Sequence, residues 1–140
     1  MLSSGPKSRQ GKNRRVDPKG KTVFIVATTG PEAPERCAAP FFFGREAALK
    51  GAQVSICFVL RSALLLKKGV AETLYAKEGG HSLITFIKAA LRAGVEFNVC
   101  DAALQMCDVS PDDLMDEVEN LVGPSFLVTR GLEADLTLSF

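Results

Sequence analysis

The sequence predicts an α/β domain of three layers, a five-stranded, mostly parallel sheet with helices on both faces. Three observations carry this expectation. Apolar, β-branched runs alternate with helical segments along the chain, no tight hairpin signal separates consecutive runs, and 140 residues suit one domain with a single continuous core. Strands joined through helices cross over right-handed into parallel pairing, which places helices on both sides of the sheet.

The first strand is Thr22 to Thr29, TVFIVATT, whose unbroken apolar character suits a central strand covered on both faces. Gly30-Pro31 ends it. Pro34 to Gly51 reads as a helix with Ala38, Phe42, Ala47 and Leu49 as core positions. Pro40 would remove an interior hydrogen bond there, so a short first turn followed by the main helix is expected. A second buried strand spans Gln53 to Leu60. Arg61 to Gly80 predicts a turn or two of helix and then an exposed loop, YAKEGG. Ser82 can cap a helix reaching Ala93, with Leu83, Ile87, Ala90 and Leu91 on one face and Gly94 as its stop.

The third strand, Val95 to Val99, arrives at Cys100. Asp101 to Met106 suits a short helix. Ser110-Pro-Asp-Asp offers an N-cap, a proline at the first helical position and early acids for another helix reaching Glu117. The acids at 112, 113, 116, 117 and 119 then form a charged, solvent-facing surface. The end of the chain reads either as a strand at Phe126 to Thr129 or, the favoured reading, as a short strand near Val118 to Val122 followed by a helix from Pro124, with Leu136 to Ser139 as a final strand.

Residues 1–21 hold seven Lys or Arg against one acid, and residues 22–140 hold ten against fifteen. Residues 1–20 also lack periodic apolar positions, so they read as a flexible basic tail ahead of a domain at 21–140. The acidic domain and the absence of Trp argue against nucleic-acid binding by the folded part. No apolar stretch approaches the roughly 20 residues of a membrane span, and no apolar segment follows the basic start as in a secretory signal. A cytoplasmic protein is expected. Four scattered cysteines and a single histidine match neither a disulfide framework nor a metal-ligand spacing, so reduced thiols and no metal are expected.

In an open parallel sheet, sites form at the carboxyl ends of strands. Cys100 falls at such an end. A helix starting behind it directs backbone N–H groups toward the sulfur and favours a thiolate, while the neighbouring Asp101 carboxylate opposes it. By position alone, a cysteine at a strand end serves packing more often than nucleophilic chemistry. Cys107 is a candidate second thiol or a small apolar helix residue. Continuous helix would hold its Cα roughly 10 Å from that of Cys100, beyond the ~7 Å limit for a disulfide. Cys57 lies inside a strand and reads as core; Cys37 reads as packing near the same sheet edge. His81 sits in a loop where exposure is the plain expectation. Thr28-Thr29-Gly30 resembles the phosphate loop of flavodoxins over three residues only, and prolines at 31 and 34 make a different turn. No flavin is expected.

The segment Ala93-Gly-Val-Glu-Phe-Asn-Val-Cys-Asp-Ala-Ala-Leu104 resembles the surroundings of the active cysteine in DsrE/DsrF-like proteins, including TusD-like subunits of sulfur relays. Leu65-Leu-Lys-Lys-Gly-Val-Ala71 is similar to the family's middle loop. Asp112 to Val118 and Ala134 to Phe140 are similar to its C-terminal pattern. The resemblance spans roughly residues 21–140 and implies a flavodoxin-related architecture. It also implies an intracellular sulfur carrier or sulfurtransferase component in which Cys100 accepts sulfane sulfur, as persulfide or thiosulfonate, without metal or organic cofactor. A homo-oligomer, trimer or hexamer, is implied, as are partners of the TusA-like, rhodanese-like or heterodisulfide-reductase-like kinds. The alternative from another class is a non-catalytic oligomeric α/β module that binds a small ligand or a protein.

Overall fold

The structure, a computed structural model, describes residues 15–140. Five strands, β1 (Thr22–Ala27), β2 (Gln53–Phe58), β3 (Glu96–Cys100), β4 (Asn120–Val122) and β5 (Leu136–Ser139), form one sheet in the order β4-β3-β2-β1-β5. Every pairing is parallel. The helices are α1 (Ala39–Leu49), α2 (Leu83–Arg92), α3 (Asp101–Met106) and α4 (Pro124–Glu133). The chain moves outward from β1 to β4, then returns across the sheet through α4 to lay β5 beside β1. Reversing direction with right-handed crossovers sends α4 to the face opposite the other helices.

Side-chain alternation along each strand divides the sheet into two faces. Ile25, Ile56, Phe58, Phe97 and Val99 point to the first, where they pack with Phe41 of α1, Ile87 of α2 and Leu104 of α3 in one buried cluster. Phe41, Phe58 and Phe97 form its centre, with ring centroids 5.4–5.6 Å apart. The second face carries Phe24, Ser55, Cys57, Glu96, Asn98 and Cys100. It is covered by α4, whose Phe126 meets Phe24 edge-on at 6.3 Å.

Several local expectations need correction. Before α1, residues Pro34–Arg36 form a single 3-10 turn. The break follows at Cys37 and Ala38, and Pro40 then sits in the first turn of α1, where its missing N–H removes no hydrogen bond. The phase of α1 also differs: Phe41 and Gly44 are buried, whereas Phe42 and Leu49 are exposed. With Phe41 locked between Phe58 and Phe97, the next side chain must turn outward. Residues between β2 and α2 form two 3-10 segments, Leu60–Leu66 and Ala71–Thr73. The expected strand Val95 to Val99 is shifted by one, so Cys100 belongs to β3 itself.

The helix expected after Ser110 is only one turn, Pro111–Asp113, closed by a capping box between Ser110 and Asp113. It stops because Leu114 is extended and bridges to Lys67, and Met115 N–H donates to the Leu66 carbonyl at 2.9 Å. The acids from 112 to 119 therefore line an irregular segment rather than a helix face. The expected tail at 1–20 falls largely outside the described residues. At its end, Gly20 N–H donates to the Gly51 carbonyl at 3.0 Å, tying the approach of β1 to the turn before β2.

Candidate functional site

β3 and β4 are neighbours, yet the chain leaves β3 through α3 toward the first face and leaves β4 through α4 toward the second. Diverging connections from adjacent parallel strands open a crevice at their carboxyl ends, which is where such sheets place ligands. Cys100 stands at that divergence. It is the last residue of β3, pairs with Val122 of β4, and occupies the N-cap position of α3 with an extended backbone. Its thiol is free and half-buried.

Behind Cys100 on the same face lies a polar row. Arg130 of α4 donates to Ser55 Oγ at 3.1 Å and to Glu96 Oε1 at 3.2 Å, with its guanidinium 4.6 Å from the Phe126 ring centroid. Asn120 Nδ2 donates to Asn98 Oδ1 at 3.0 Å and reaches Glu96 Oε2 at 3.4 Å. Asn98 is fully buried, and its Nδ2 has no hydrogen-bond partner among the described residues. A buried amide donor left unsatisfied costs about 1–3 kcal/mol. Cys57, the register partner of Asn98 on β2, is also fully buried. Burial pushes its thiol up to about 12, the charge of Cys100 adds to the rise, and Arg130 works against it.

Cys107 caps the C-terminal end of α3, and its Sγ lies 3.7 Å from the Leu60 carbonyl oxygen. Six helical residues separate it from Cys100, so a direct disulfide is out of reach. The Leu60 carbonyl is presented there because Leu60 adopts a left-handed backbone, φ 53°, as the chain leaves β2. Next to it, Arg61 Nε donates to Glu32 Oε1 at 2.8 Å, an exposed ion pair joining the loops after β1 and β2. That hydrogen bond holds the Glu32 carboxyl below its usual range.

Cys37 lies at the same edge but is sealed. Its thiol lies 3.1 Å from the Gly30 carbonyl and 3.4 Å from that of Ala33. Burial first, then the charges of Glu32 and Glu35, push it up to about 11. A neutral thiol donor thus holds the loop after β1. That loop's Gly30 N–H is taken by Glu32 Oε2 at 3.0 Å, and a Cβ at Gly30 would lie 2.6 Å from the Arg61 carbonyl oxygen. A carboxylate and a backbone carbonyl therefore fill the space that a phosphate cradle would leave open. His81 is exposed, immediately before the N-cap of α2. Among the described residues no three His, Cys, Asp or Glu side chains gather as metal ligands.

The structure thus places Cys100 and Cys107 at opposite ends of one short helix, and Cys57 on the same face as Cys100. The sequence reading overlooked Asn98, Asn120, Glu96 and Arg130. The first signal was available: in Glu96-Phe-Asn-Val-Cys100, polar and apolar residues alternate, which sets Glu96, Asn98 and Cys100 in one row. A cleft beside α4, lined by Thr22, Gln53, Ser55, Glu96 and Arg130, opens toward the amino ends of the strands. Two of its charged groups, Glu96 and Arg130, are paired with each other.

A five-stranded, wholly parallel sheet with helices on both faces defines a class of three-layer α/β proteins. Within it, the chain belongs to the DsrE/DsrF-like family, whose sequence profile matches residues 21–139. Solved structures agree on the fold. The crystal structure of the YchN protein from E. coli aligns with a TM-score of 0.71 at 16% identity, covering 86% of this chain and 99% of that one. The structure of MTH1491 from Methanobacterium thermoautotrophicum, described as a protein of unknown function, aligns with a TM-score of 0.59 at 12% identity, again covering 86% and 99%. No curated protein sequence matches the chain.

Proposed function

We propose that this protein is an intracellular, cytoplasmic sulfur carrier or sulfurtransferase component that accepts sulfane sulfur on Cys100 and passes it to a partner protein. One observation carries the reading: in a chain of the DsrE/DsrF-like family, the half-exposed thiol at the crevice between β3 and β4 is Cys100. Cys37 and Cys57 are buried and neutral, which leaves Cys100 and Cys107 as the thiols that a donor can reach.

The chemistry is thiolate exchange without net redox change. The Cys100 thiolate attacks the sulfane sulfur of a donor persulfide, the new bond forms at Sγ, the donor's S–S bond breaks, and the donor leaves as a thiolate. Transfer onward repeats the step with the acceptor's thiolate as nucleophile. Cys107, about one helix length away, is a second thiol for a separate exchange rather than a partner in a disulfide.

The protein is further proposed to work as a homo-oligomer, trimer or hexamer, with TusA-like, rhodanese-like or heterodisulfide-reductase-like proteins as exchange partners. Exposed Val128 and Leu132 on α4 supply apolar surface for self-association. Among the described residues no helix is long and apolar enough to cross a membrane.

The test is transfer. Protein loaded from a persulfide donor is mixed with a TusA-like acceptor, and both chains are weighed by intact mass. Sulfur moving to the acceptor from the unsubstituted chain but not from Cys100→Ser is the expected result. Equal transfer from both chains would remove Cys100 from the role.

A further inference from the structure

We infer that the sulfur on Cys100 is parked inward as a one-atom persulfide whose terminal sulfur accepts a hydrogen bond from Asn98 Nδ2. This rests on the carrier reading and specifies the chemical form that the site holds.

Asn98 and Cys100 are two residues apart on β3, so their side chains share one face. The orientation of the Asn98 amide is fixed from the β4 side. Its Oδ1 accepts from Asn120 Nδ2, and the same Asn120 nitrogen reaches Glu96 Oε2. Turning the Asn98 amide over would set two NH2 groups against each other. Nδ2 therefore points away from β4. On one side of it, the Glu96 carboxylate is engaged by Arg130 and Asn120. Its register partner across on β2 is Cys57, and the next residue on the same face of β3 is Cys100.

With Cys100 as a plain thiol, no acceptor among the described residues bonds this donor. A persulfide lengthens the Cys100 side chain by one S–S bond of about 2.05 Å, and its terminal sulfur carries negative charge. Turned inward, that sulfur fills the missing acceptor role and converts an unsatisfied donor into a charge-assisted hydrogen bond. The adjacent Cys57 thiol, pushed up to about 12, stays protonated and leaves the S–S bond intact. Asn98 is fully buried, so a persulfide, which adds a single atom, intrudes on its surroundings less than the three oxygens of a thiosulfonate would. For transfer the Cys100 side chain turns its terminal sulfur out into the crevice, where a partner thiolate attacks that sulfur, the S–S bond breaks and Cys100 leaves as the thiolate.

The experiment loads the unsubstituted chain and Asn98→Leu with persulfide donor, and separately with tetrathionate, and follows loss of each adduct to glutathione by intact mass. The persulfide on Asn98→Leu is expected to decay about tenfold faster, the loss of one hydrogen bond to a charged acceptor, while the thiosulfonate decays equally in both. A second measurement needs no substitution. In the 15N-labelled native chain, the side-chain NH2 signals of Asn98 should shift and exchange more slowly with solvent on persulfide loading, whereas those of Asn120 stay in place. Equal persulfide lifetimes together with unmoved Asn98 signals would overturn the inference and leave the carrier reading standing. Failure of Cys100 to load at all would overturn both.

Discussion

The two faces of the sheet are built from different materials. On the first, Ile25, Ile56, Phe58, Phe97 and Val99 meet α1, α2 and α3 in a dry, close-packed layer around three phenylalanine rings. On the second, Ser55, Cys57, Glu96, Asn98 and Cys100 face a single helix, α4, none of whose residues is fully buried. The first face holds the fold, and its tight packing leaves no room for chemistry. The second gives up part of that packing to keep polar groups and a thiol near the crevice between β3 and β4. Stability and reactivity should therefore separate by face.

The largest break in that comparison comes from the first face. Phe97→Ala should lower unfolding free energy by about 3–5 kcal/mol in urea denaturation, because it leaves a cavity among the rings that close neighbours cannot fill. Loading of Cys100 in the fraction that remains folded should be unchanged. On the second face, Arg130→Leu removes the donor to Ser55 and Glu96 in a pair about one-third exposed, 35% and 31%. Solvent screening limits the loss to about 1 kcal/mol, measured in the same way.

The buried thiols sharpen the contrast through pH. Cys37 is raised from 9.0 to about 11 and Cys57 from 9.0 to about 12. Both keep their protons in the folded state after the unfolded chain has lost them, so their contribution is full below pH 9 and falls as pH rises toward 11–12. The urea midpoint should drop from pH 8 to pH 10.5, and Cys37→Ala should flatten that slope while lowering the midpoint at neutral pH. The smallest stability effect belongs to Cys100→Ser. A half-exposed end-of-strand position should shift unfolding by about 0.5 kcal/mol or less, while sulfur loading there is lost entirely.

Much of this organisation is legible in the sequence. The first three strands follow from apolar runs, and the approach to β3 from Gly94, which turns at φ 96°, although β3 runs one residue further than the pattern suggests. The terminal β4-α4-β5 order is one of two readings that the sequence allows. Elements decided by distant contacts are not. Helix α1 is apolar on most sides, so its periodicity does not announce that Phe41 faces inward and Phe42 outward. The segment after Ser110 carries a complete capping signal, but one turn satisfies it, and pairing with Lys67 and Leu66 ends the helix. Arg130 lies 34 residues beyond Glu96, and only the fold brings the two together. Cys100 was visible as a strand-end thiol; its place at a switch point required knowing that β4 lies beside β3 and that α4 crosses the other face.

The most direct measurement is peptide mapping of all four cysteines after the native chain has reacted with a persulfide donor. Cys100 should carry one additional sulfur, with Cys37 and Cys57 unmodified. A Cys100 that stays free and open to alkylation while gaining no sulfur would contradict the account.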